Sequence, residues 1–270
     1  MTPETIRPDT AGARPTGTPV APLAQAQPEA ISAVDRFVAA SGTVRDQAGL
    51  LAGRIGRRLL TVGFGHAPTR TSPIGDVPAS WEVKSLGEIA RFSSGKAKPK
   101  DASRVPSPSR NIPIFSGKGL LGYSGSSLRS GATIVVGRVG AHCGSVHFVS
   151  DPECWITDAA LFVYETRPEV DLRFLYHSLR RLDLPSLRST GRQPLISLST
   201  IYPLLLALPP LDEQRGICDI LAAAETLREA HDRVLAQSMR LRSALAAYAG
   251  AVGAEPGRSE RSDLNTPRGA

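Results

Sequence analysis

The last part of the chain has the most regular spacing of apolar and polar positions. Between Asp212 and Tyr248, a seam steps alternately by three and four residues, which is the spacing of a coiled-coil heptad. The spacing predicts one long helix over residues 211–249, roughly 55 Å in length. Because a single helix cannot bury its own apolar stripe, we expect the seam to form a subunit interface. Its positions are Ile217, Ile220, Ala224, Leu227, His231, Val234, Leu241, Leu245 and Tyr248, with Ser238 as a second polar position beside His231.

A second helical pattern lies nearer the N-terminus. Apolar residues between Val34 and Val62 recur at spacings of three and four, which predicts a helix over residues 31–62. Four glycines fall inside it, and each costs about 1 kcal/mol relative to alanine in a helix. We therefore expect this helix to depend on a partner.

Three other segments lack this periodicity. Residues 1–30 are rich in Pro, Ala and Thr with few large apolar side chains, so we predict a disordered leader. Residues 63–80 contain several glycines and prolines and are predicted to be a linker. Residues 250–270, rich in Gly, Ser, Arg, Glu and Pro, are predicted to be a disordered tail.

The middle of the chain, residues 81–210, alternates short aliphatic runs with Gly and Ser clusters. This pattern predicts strands over residues 112–115, 132–138, 145–149 and 159–164. A helix is predicted over residues 171–182. The expected fold class is α/β (α+β), with one mixed globular domain flanked by helices, the C-terminal one a long coiled-coil-type helix.

The charge of the chain adds a candidate partner. The 270 residues include 32 Lys or Arg and 25 Asp or Glu, and residues 81–200 hold sixteen of the former and ten of the latter. This excess on the globular domain favours an anionic partner such as nucleic acid or an acidic membrane surface. No apolar run approaches the roughly 20 residues that span a bilayer, so we expect no membrane insertion. The three cysteines lack paired spacing, which fits a reducing, cytoplasmic location.

The loops of the middle region carry the candidate binding residues. Three lysines at alternate positions, suited to following a phosphate backbone, are Lys96, Lys98 and Lys100. Residues expected at the tips of Gly-rich turns are Lys118, Tyr123, Arg138 and His142. Arg192 and Gln193 follow a glycine; Arg pairs with guanine and Gln with adenine in the DNA major groove. For the three lysines the alternative is a solvated loop, and for the other residues it is a purely structural role.

One junction is more specific than any of these patterns. The motif G-x-Q-P-x-I-S begins at Gly191, and L-P-P-L-x-E-Q-x-x-I begins at Leu208. Pro209 and Pro210 end an incoming strand, and Asp212 is a candidate N-cap for the helix that follows. The two motifs together resemble the specificity (S) subunits of type I restriction-modification enzymes. The resemblance covers about residues 76–248.

The resemblance implies a target recognition domain over residues 81–210 that binds half of a split DNA target. It implies a chain with no catalytic or metal site, whose helices dock methylation (M) subunits and, through the complex, restriction (R) subunits. S-adenosylmethionine, ATP and Mg would belong to those partner subunits. A single recognition domain resembles the half-length S subunits that work as homodimers, or else a fragment of a longer gene.

Two other functional classes remain open. Cys143 with His142 or His147 is the candidate centre of a zinc or thiol hydrolase, although the spacing lacks two close zinc-ligand pairs. A nucleophile and base that are adjacent in sequence also rarely have the required mutual geometry. The third class is a coiled-coil scaffold that binds protein and no DNA, which a salt-dependent DNA titration would distinguish.

Overall fold

The computed structural model describes residues 21–65, 68–189 and 194–253, with side chains described from residue 29 to residue 249 within those ranges. The chain forms two compact units. We call the described residues before Ala48 and after Arg228 the helical unit, and Ala48–Arg228 the mixed unit.

The secondary structure follows the predicted order of helix, mixed domain and helix. The helices are α1 (Ala21–Val62), α2 (Leu86–Ile89), α3 (Leu172–Arg181), α4 (Leu198–Ile201) and α5 (Leu211–Gly253). The first strands are β1 (Thr69–Ser72), β2 (Gly75–Pro78), β3 (Glu82–Ser85), β4 (Ala90–Ser94), β5 (Ile112–Ser116) and β6 (Gly119–Ser124). The remaining strands are β7 (Arg129–Ser130), β8 (Thr133–Gly137), β9 (Val146–Val149), β10 (Glu153–Ile156), β11 (Ala160–Thr166) and β12 (Leu205–Leu208). Two short 3₁₀ helices lie at Gly140–His142 and Leu184–Leu187.

Both long helices extend beyond their predicted bounds. α1 begins at Ala21, so the predicted disordered leader of residues 1–30 is wrong for its last ten residues, and residues 1–20 lie outside the described residues. Strong helix formers, Ala, Leu and Gln, dominate this start, and Pro22 falls in the first turn, where its missing N–H is tolerated. α5 continues to Gly253, and the rest of the predicted tail is outside the described residues.

In the helical unit, α1 and α5 run antiparallel. The ring Nε2 of His231 donates to the backbone oxygen of Ser41 over 2.9 Å, and Arg242 forms an ion pair with Asp35. Residues with higher numbers on α1 therefore contact residues with lower numbers on α5, as antiparallel helices do. The N-terminal helix thus finds a partner within its own chain, which the four glycines do not prevent.

Two four-stranded sheets organise the mixed unit. The first has the order β4-β11-β8-β9, with all neighbours antiparallel. The second has the order β6-β5-β10-β7, in which β5 and β10 are parallel. β12 pairs with β3 antiparallel and brings the chain to the start of α5. The predicted α/β class is confirmed, and the four predicted strands correspond to β5, β8, β9 and β11.

The apolar positions of these elements form two clusters. The larger joins α3, the first sheet and the adjoining ends of α1 and α5, and includes Phe174, Ile134, Leu59 and Ile217. The smaller includes Val135, Cys154, Ile156 and Phe162 from β8, β10 and β11. Successive residues of β8 point to opposite faces of its sheet, so Ile134 and Val135 contribute to different clusters. All five residues of β8 are buried, which makes it the central strand of the mixed unit.

The predicted linker over residues 63–80 is wrong for residues 69–78. β1 and β2 form an antiparallel hairpin there, with Ser72 paired to Gly75 across the turn. Gly75 has φ of 98°, which glycine adopts without steric cost. Arg70 of the hairpin donates to the backbone oxygen of Trp81 over 2.8 Å. The prolines and glycines of this segment therefore form a specific turn.

The motif at the start of α5 holds the first turns of that helix in place within the mixed unit. Gln214 is fully buried, and its amide oxygen accepts from the Asp171 backbone N–H at 2.8 Å. Its amide nitrogen donates to the backbone oxygens of Glu169 and Pro209, both at 2.8 Å. A buried side-chain amide whose N–H donors and oxygen acceptor all have hydrogen-bond partners holds the segments that it joins in fixed positions. The Gln of the L-P-P-L-x-E-Q motif is thus a structural residue.

The preceding residue of the motif makes a second tie. The Glu213 carboxylate accepts from the indole Nε1 of buried Trp81 at 3.0 Å. Gly63, at the end of α1, has φ of 62°, and a Cβ there would lie 2.1 Å from a Glu213 carboxylate oxygen. Only glycine therefore fits at Gly63, so the end of α1, the start of α5 and Trp81 meet at one point.

We expect Gln214→Ala to lower the free energy of unfolding by about 2–4 kcal/mol, because three backbone groups lose the hydrogen-bond partner that this fully buried side chain supplies. Urea unfolding followed by circular dichroism measures this change. The control is Gln237→Ala, an exposed glutamine on the same helix, which should change stability by less than about 0.5 kcal/mol. Equal effects of the two substitutions would contradict the structural role of Gln214.

Candidate functional site

The register of the first sheet gathers several loops at one edge. Ser94 at the end of β4 pairs with Leu161, Gly137 at the end of β8 pairs with Ala160, and Val146 begins β9 opposite Val136. The segments beyond these strand ends therefore lie side by side. We call the loops 94–96, 138–145 and 157–159, with the turn 117–118 and the segment 194–196, the loop edge.

The first loop is clamped to the second sheet through its backbone. A Cβ on Gly95 would lie 2.2 Å from the Thr157 backbone oxygen, so glycine is needed for the two chains to approach. The Lys96 N–H donates to the Ile156 oxygen at 3.0 Å, and the Lys96 oxygen accepts from the Asp158 N–H at 2.9 Å. The backbone is thus held in place while the Lys96 side chain is exposed.

The turn between β5 and β6 joins the same edge. A Cβ on Gly117 would lie 2.6 Å from the Cα of Gly137, which shows how closely the turn approaches the end of β8. His147 Nε2 donates to the Gly117 oxygen at 2.9 Å, and that oxygen also accepts from the Ser145 hydroxyl. Lys118, the next residue, is exposed. Its ammonium group therefore extends from a fixed turn.

Arg138 occupies the centre of the loop edge. Its backbone N–H donates to the Ala159 oxygen, and its backbone oxygen accepts from the Ile196 N–H, both at 2.9 Å. Its side chain is half-buried, and Nη1 donates to the Ser94 hydroxyl at 3.2 Å. His142 lies on the 3₁₀ helix that follows and is exposed. Lys96, Lys118, Arg138 and His142 are therefore brought to one edge, as a shared binding surface requires.

Other predicted residues lie elsewhere. Lys98 and Lys100 are exposed further along the loop, which Asp101 then ties to Ser124 at the far end of the β5–β6 hairpin, by a 2.8 Å hydrogen bond. Tyr123 was expected at a turn tip, and this is wrong, because it lies within β6 and its backbone bonds to Ser103. The apolar alternation that continues from Leu120 through Tyr123 extends the strand past Gly122.

The last two predicted residues, Arg192 and Gln193, lie outside the described residues. The segments on either side of them are held together, because the Ser189 N–H donates to the Leu195 oxygen at 3.0 Å and the Leu195 N–H donates to the Ser189 hydroxyl at 3.2 Å. Gly140 N–H also donates to the Pro194 oxygen at 3.1 Å. The residue after Gln193 thus contacts the loop edge, and the DNA-binding role of Arg192 and Gln193 stays a prediction.

Sequence reasoning missed two residues near this edge. Ser94 is the hydrogen-bond partner of Arg138. The two residues are far apart in sequence, and no motif around either of them predicts the contact. Arg188 is exposed, and its charge acts on the Cys143 thiol, which lies in loop 138–145 of the loop edge. The position of Arg188 shortly before the G-x-Q-P motif was the available signal for it.

The geometry gives no support to a hydrolase centred on Cys143. Its thiol is buried and donates to the Arg138 backbone oxygen over 3.2 Å, not to a histidine. Burial raises the pKa of the Cys143 thiol, an effect that a hydrogen bond from the Ile196 backbone and the charge of Arg188 partly oppose. A raised pKa reduces the thiolate fraction on which nucleophilic attack depends. Within the described ranges, no three His, Cys, Asp or Glu side chains are grouped as metal ligands.

We expect all three cysteines to react slowly with a thiol reagent at pH 8 in the native protein. Burial raises the pKa of Cys154 to about 11 and that of Cys218 to about 12, so little thiolate forms below those values. Labelling should accelerate sharply in urea, where the thiols regain ordinary pKa values. Rapid native labelling of Cys143, identified by peptide mass, would instead support an activated thiol.

A second surface lies on α5, where the predicted seam divides in two. Ile217 is fully buried in the mixed unit, and Ala224, His231, Ser238 and Leu245 are half-buried. The alternate positions are between 41% and 69% exposed, and they are Ile220, Leu227, Val234, Leu241 and Tyr248. Ile217 is therefore not available to another subunit, which corrects that part of the predicted interface. We call the five exposed residues the α5 stripe.

The contact between the two helices explains this division. In the helical unit, α1 contacts α5 at His231, through the Ser41 backbone oxygen, and at Arg242, through Asp35. The half-buried positions of α5 in this unit include His231, Leu235, Ser238 and Leu245, whereas Val234 and Leu241 stay exposed.

Phe37 and Val44 of α1 are also about half exposed. Phe37 directly precedes half-buried Val38, and Val44 directly precedes Arg45, which pairs with Asp232 of α5. On α5, Val234 directly precedes half-buried Leu235, and Leu241 directly precedes Arg242, which pairs with Asp35. Antiparallel geometry therefore places Phe37, Val44, Val234 and Leu241 on one side of the helix pair.

The fold and the loop edge together define a class of protein: a mixed α/β domain that presents basic side chains from rigidly held loops, joined to a long helical pair. Residues 78–236, more than half of the chain, match the family described as type I restriction modification DNA specificity domain. The chain belongs to this family. Within the described residues, no helix has the length and apolar character to cross a membrane.

Individual relatives agree with this assignment. The chain is 28% identical over 145 residues to the type I restriction enzyme EcoprrI specificity subunit of Escherichia coli, an overlap of 53% of this chain and 36% of that protein. The fold is similar to that of an S subunit from M. genitalium, with a TM-score of 0.60 and 16% identity over 82% of this chain and 58% of that one. It is also similar to the HsdS subunit from Thermoanaerobacter tengcongensis, with a TM-score of 0.58 and 19% identity over 83% and 56% of the two chains. The chain thus spans between about a third and three-fifths of the length of these relatives.

Proposed function

We propose that this chain is a DNA sequence-specificity subunit of a type I restriction-modification complex, and that its loop edge binds one half of a split target. The observation that carries the proposal is the meeting of Lys96, Lys118, Arg138 and His142 on one rigidly held edge. Loops on a rigid scaffold are the usual location of recognition residues. Family membership over residues 78–236 supports the same conclusion.

The basic residues divide into two roles. The exposed lysines are mobile point charges, suited to phosphate contacts that position the domain without reading sequence. Arg138 is half-buried and fixed at its backbone, and its planar fork suits a base edge that offers two acceptors. Affinity and sequence preference should therefore respond to different substitutions.

Replacing Lys96, Lys98 and Lys100 together by Ala should weaken binding to all DNA sequences alike and flatten the salt dependence. Each lost phosphate contact is expected to reduce the slope of log K against log salt by about 0.9. Fluorescence anisotropy at several salt concentrations measures both quantities. Lys84→Ala is the control, because Lys84 lies on β3 and pairs with Glu82 at 2.6 Å. If the triple variant matches the wild type, this loop does not contact DNA.

Arg138→Ala and Gln193→Ala should act differently from the lysine variants. Each should lower affinity for the cognate site by roughly 1–3 kcal/mol while changing affinity for random DNA much less, because a bidentate base contact is lost. Competition binding between cognate and random duplexes measures the ratio. Equal losses on both duplexes would show that these side chains do not read bases. The same titration tests the scaffold alternative, in which the wild type binds no DNA at all.

The partners are part of the same proposal. A specificity subunit without a catalytic site needs methylation subunits that bind S-adenosylmethionine, and restriction subunits that use ATP and Mg; we propose a cytoplasmic complex of this kind. The α5 stripe supports docking through the helices, because apolar side chains at seven-residue spacing remain exposed after α1 has packed against α5.

A second copy of the chain is the proposed occupant of part of this surface. One loop edge reads one half-site, and two-fold pairing through the helices supplies the other half in inverted orientation. The side of the helical unit that carries Phe37, Val44, Val234 and Leu241 suits a four-helix contact with an identical surface. The expected target is therefore an interrupted palindrome.

The substitutions Leu227→Glu and Leu241→Glu together should convert the dimer to a monomer and abolish association with methylation subunits. Both side chains are exposed, so the charges should leave the fold intact while opposing apolar contact. Sedimentation velocity at micromolar concentration measures the association state, and circular dichroism checks the fold.

The matched control is Ala222→Glu with Ala236→Glu, which places two charges at the same 14-residue spacing on another exposed face of α5. This variant should remain dimeric. A wild-type chain that sediments as a monomer, alone and with methylation subunits, would refute the dimer and leave only the DNA-binding part of the proposal.

A further inference from the structure

The hydrogen bond between Ser94 and Arg138 joins two strands that are not neighbours. Ser94 ends β4 and Arg138 follows β8, and both strands pair with β11, which lies between them. The Arg138 side chain therefore spans the beginning of β11, about two inter-strand spacings or roughly 10 Å from backbone to backbone. The 3.2 Å contact from Nη1 to the Ser94 hydroxyl fixes the far end of this side chain.

The remaining donors of Arg138 lack partners among the described residues. No carboxylate of these residues pairs with the guanidinium, in contrast to Arg45 and Arg180, which pair with Asp232 and Glu225. Arg138 Nε is buried and has no hydrogen-bond partner within the described part of the chain. A half-buried guanidinium with unused donors is costly unless a ligand supplies acceptors. A ligand that offers two hydrogen-bond acceptors would therefore satisfy the unused donors of Arg138.

Among the described residues, the Ser94 side chain has one hydrogen bond, which it accepts from Arg138. Its backbone pairs with Leu161 in the sheet whatever the side chain is, and its hydroxyl is exposed. The hydroxyl is thus not needed to hold the strand. It accepts one N–H of Arg138 and so fixes the rotation of the planar fork, which determines the direction in which the other N–H groups point.

From this geometry we propose that Ser94 is a positioning residue that orients Arg138 toward a guanine, so that the pair specifies one G·C base pair of the target. Guanine offers two acceptors, O6 and N7, on its major-groove edge, which match an arginine fork. This inference rests on the proposed DNA-binding function. It extends that function by naming one base and by assigning a role to a serine that makes no direct contact with DNA.

The experiment uses the full-length chain in complex with its methylation subunits. Selection from a pool of randomised duplexes first defines the preferred sequence of the wild type. Affinities are then measured for duplexes carrying each base pair at every preferred position. Arg138→Ala should lose the preference for G·C at one position, by roughly tenfold or more, and leave the other positions unchanged.

Ser94→Ala should lower discrimination at that same position roughly three- to tenfold, because a hydrogen bond that orients the fork is lost. Ser94→Thr keeps the hydroxyl and should keep the discrimination. Ser93→Ala is the matched control, since among the described residues the Ser93 hydroxyl has one hydrogen bond, to the Ser94 backbone oxygen, and none to Arg138. The double variant Ser94→Ala with Arg138→Ala should discriminate no worse than Arg138→Ala alone, as expected for residues that act as a unit.

Full discrimination in Ser94→Ala would overturn the positioning role. An equal loss of affinity for all duplexes in Arg138→Ala would overturn guanine reading and indicate a phosphate contact. A wild-type complex that selects no sequence at all would refute the proposed function itself, and this result appears before any variant is compared. Matching thermal unfolding of the variants and the wild type confirms that folding is not the cause.

Discussion

The buried amide of Gln214 is the contact on which the arrangement of the mixed unit depends. It joins the start of α5 to the residues before α3 and to the prolines that end β12. Asp171, which donates its N–H to Gln214, also caps α3 by accepting from the N–H groups of Arg173 and Phe174. One glutamine thus joins the start of α5 to the start of α3, the helix that supports the main sheet of the mixed unit.

The junction at Gln214 supports the loop edge through α3 and the first sheet. α3 packs through Phe174 and its neighbours against the first sheet, and the register of that sheet brings the ends of β4, β8 and β11 together. Glycines at Gly95 and Gly117 allow the loops to approach neighbouring backbone closely. The backbone of the edge is therefore fixed, while its exposed side chains are free to differ without loss of stability. A recognition domain needs this separation, since a change of target should not require a new fold.

Sequence patterns predicted the elements well and their contacts poorly. The strands β5, β8, β9 and β11 and the helix α3 follow from short aliphatic runs and from 3.6-residue periodicity, because burial of apolar side chains determines both. The prediction for the seam of α5 was only partly correct, because heptad spacing does not show which of its positions face α1 and which stay exposed. The β1–β2 hairpin does not follow from the sequence pattern, because glycines and prolines occur both in linkers and in specific turns. The contact of Ser94 with Arg138 depends on strand order, which no local pattern encodes.

The central claim is that this chain directs a complex to one DNA sequence, and methylation mapping tests it most directly. The chain is co-purified with its methylation subunits, incubated with S-adenosylmethionine and genomic DNA, and the methylated bases are read by sequencing. The account predicts methylation confined to a single interrupted palindromic sequence, and the loss of that methylation when this chain is omitted. Methylation that is absent from the intact complex, or that falls without sequence preference, would contradict the account.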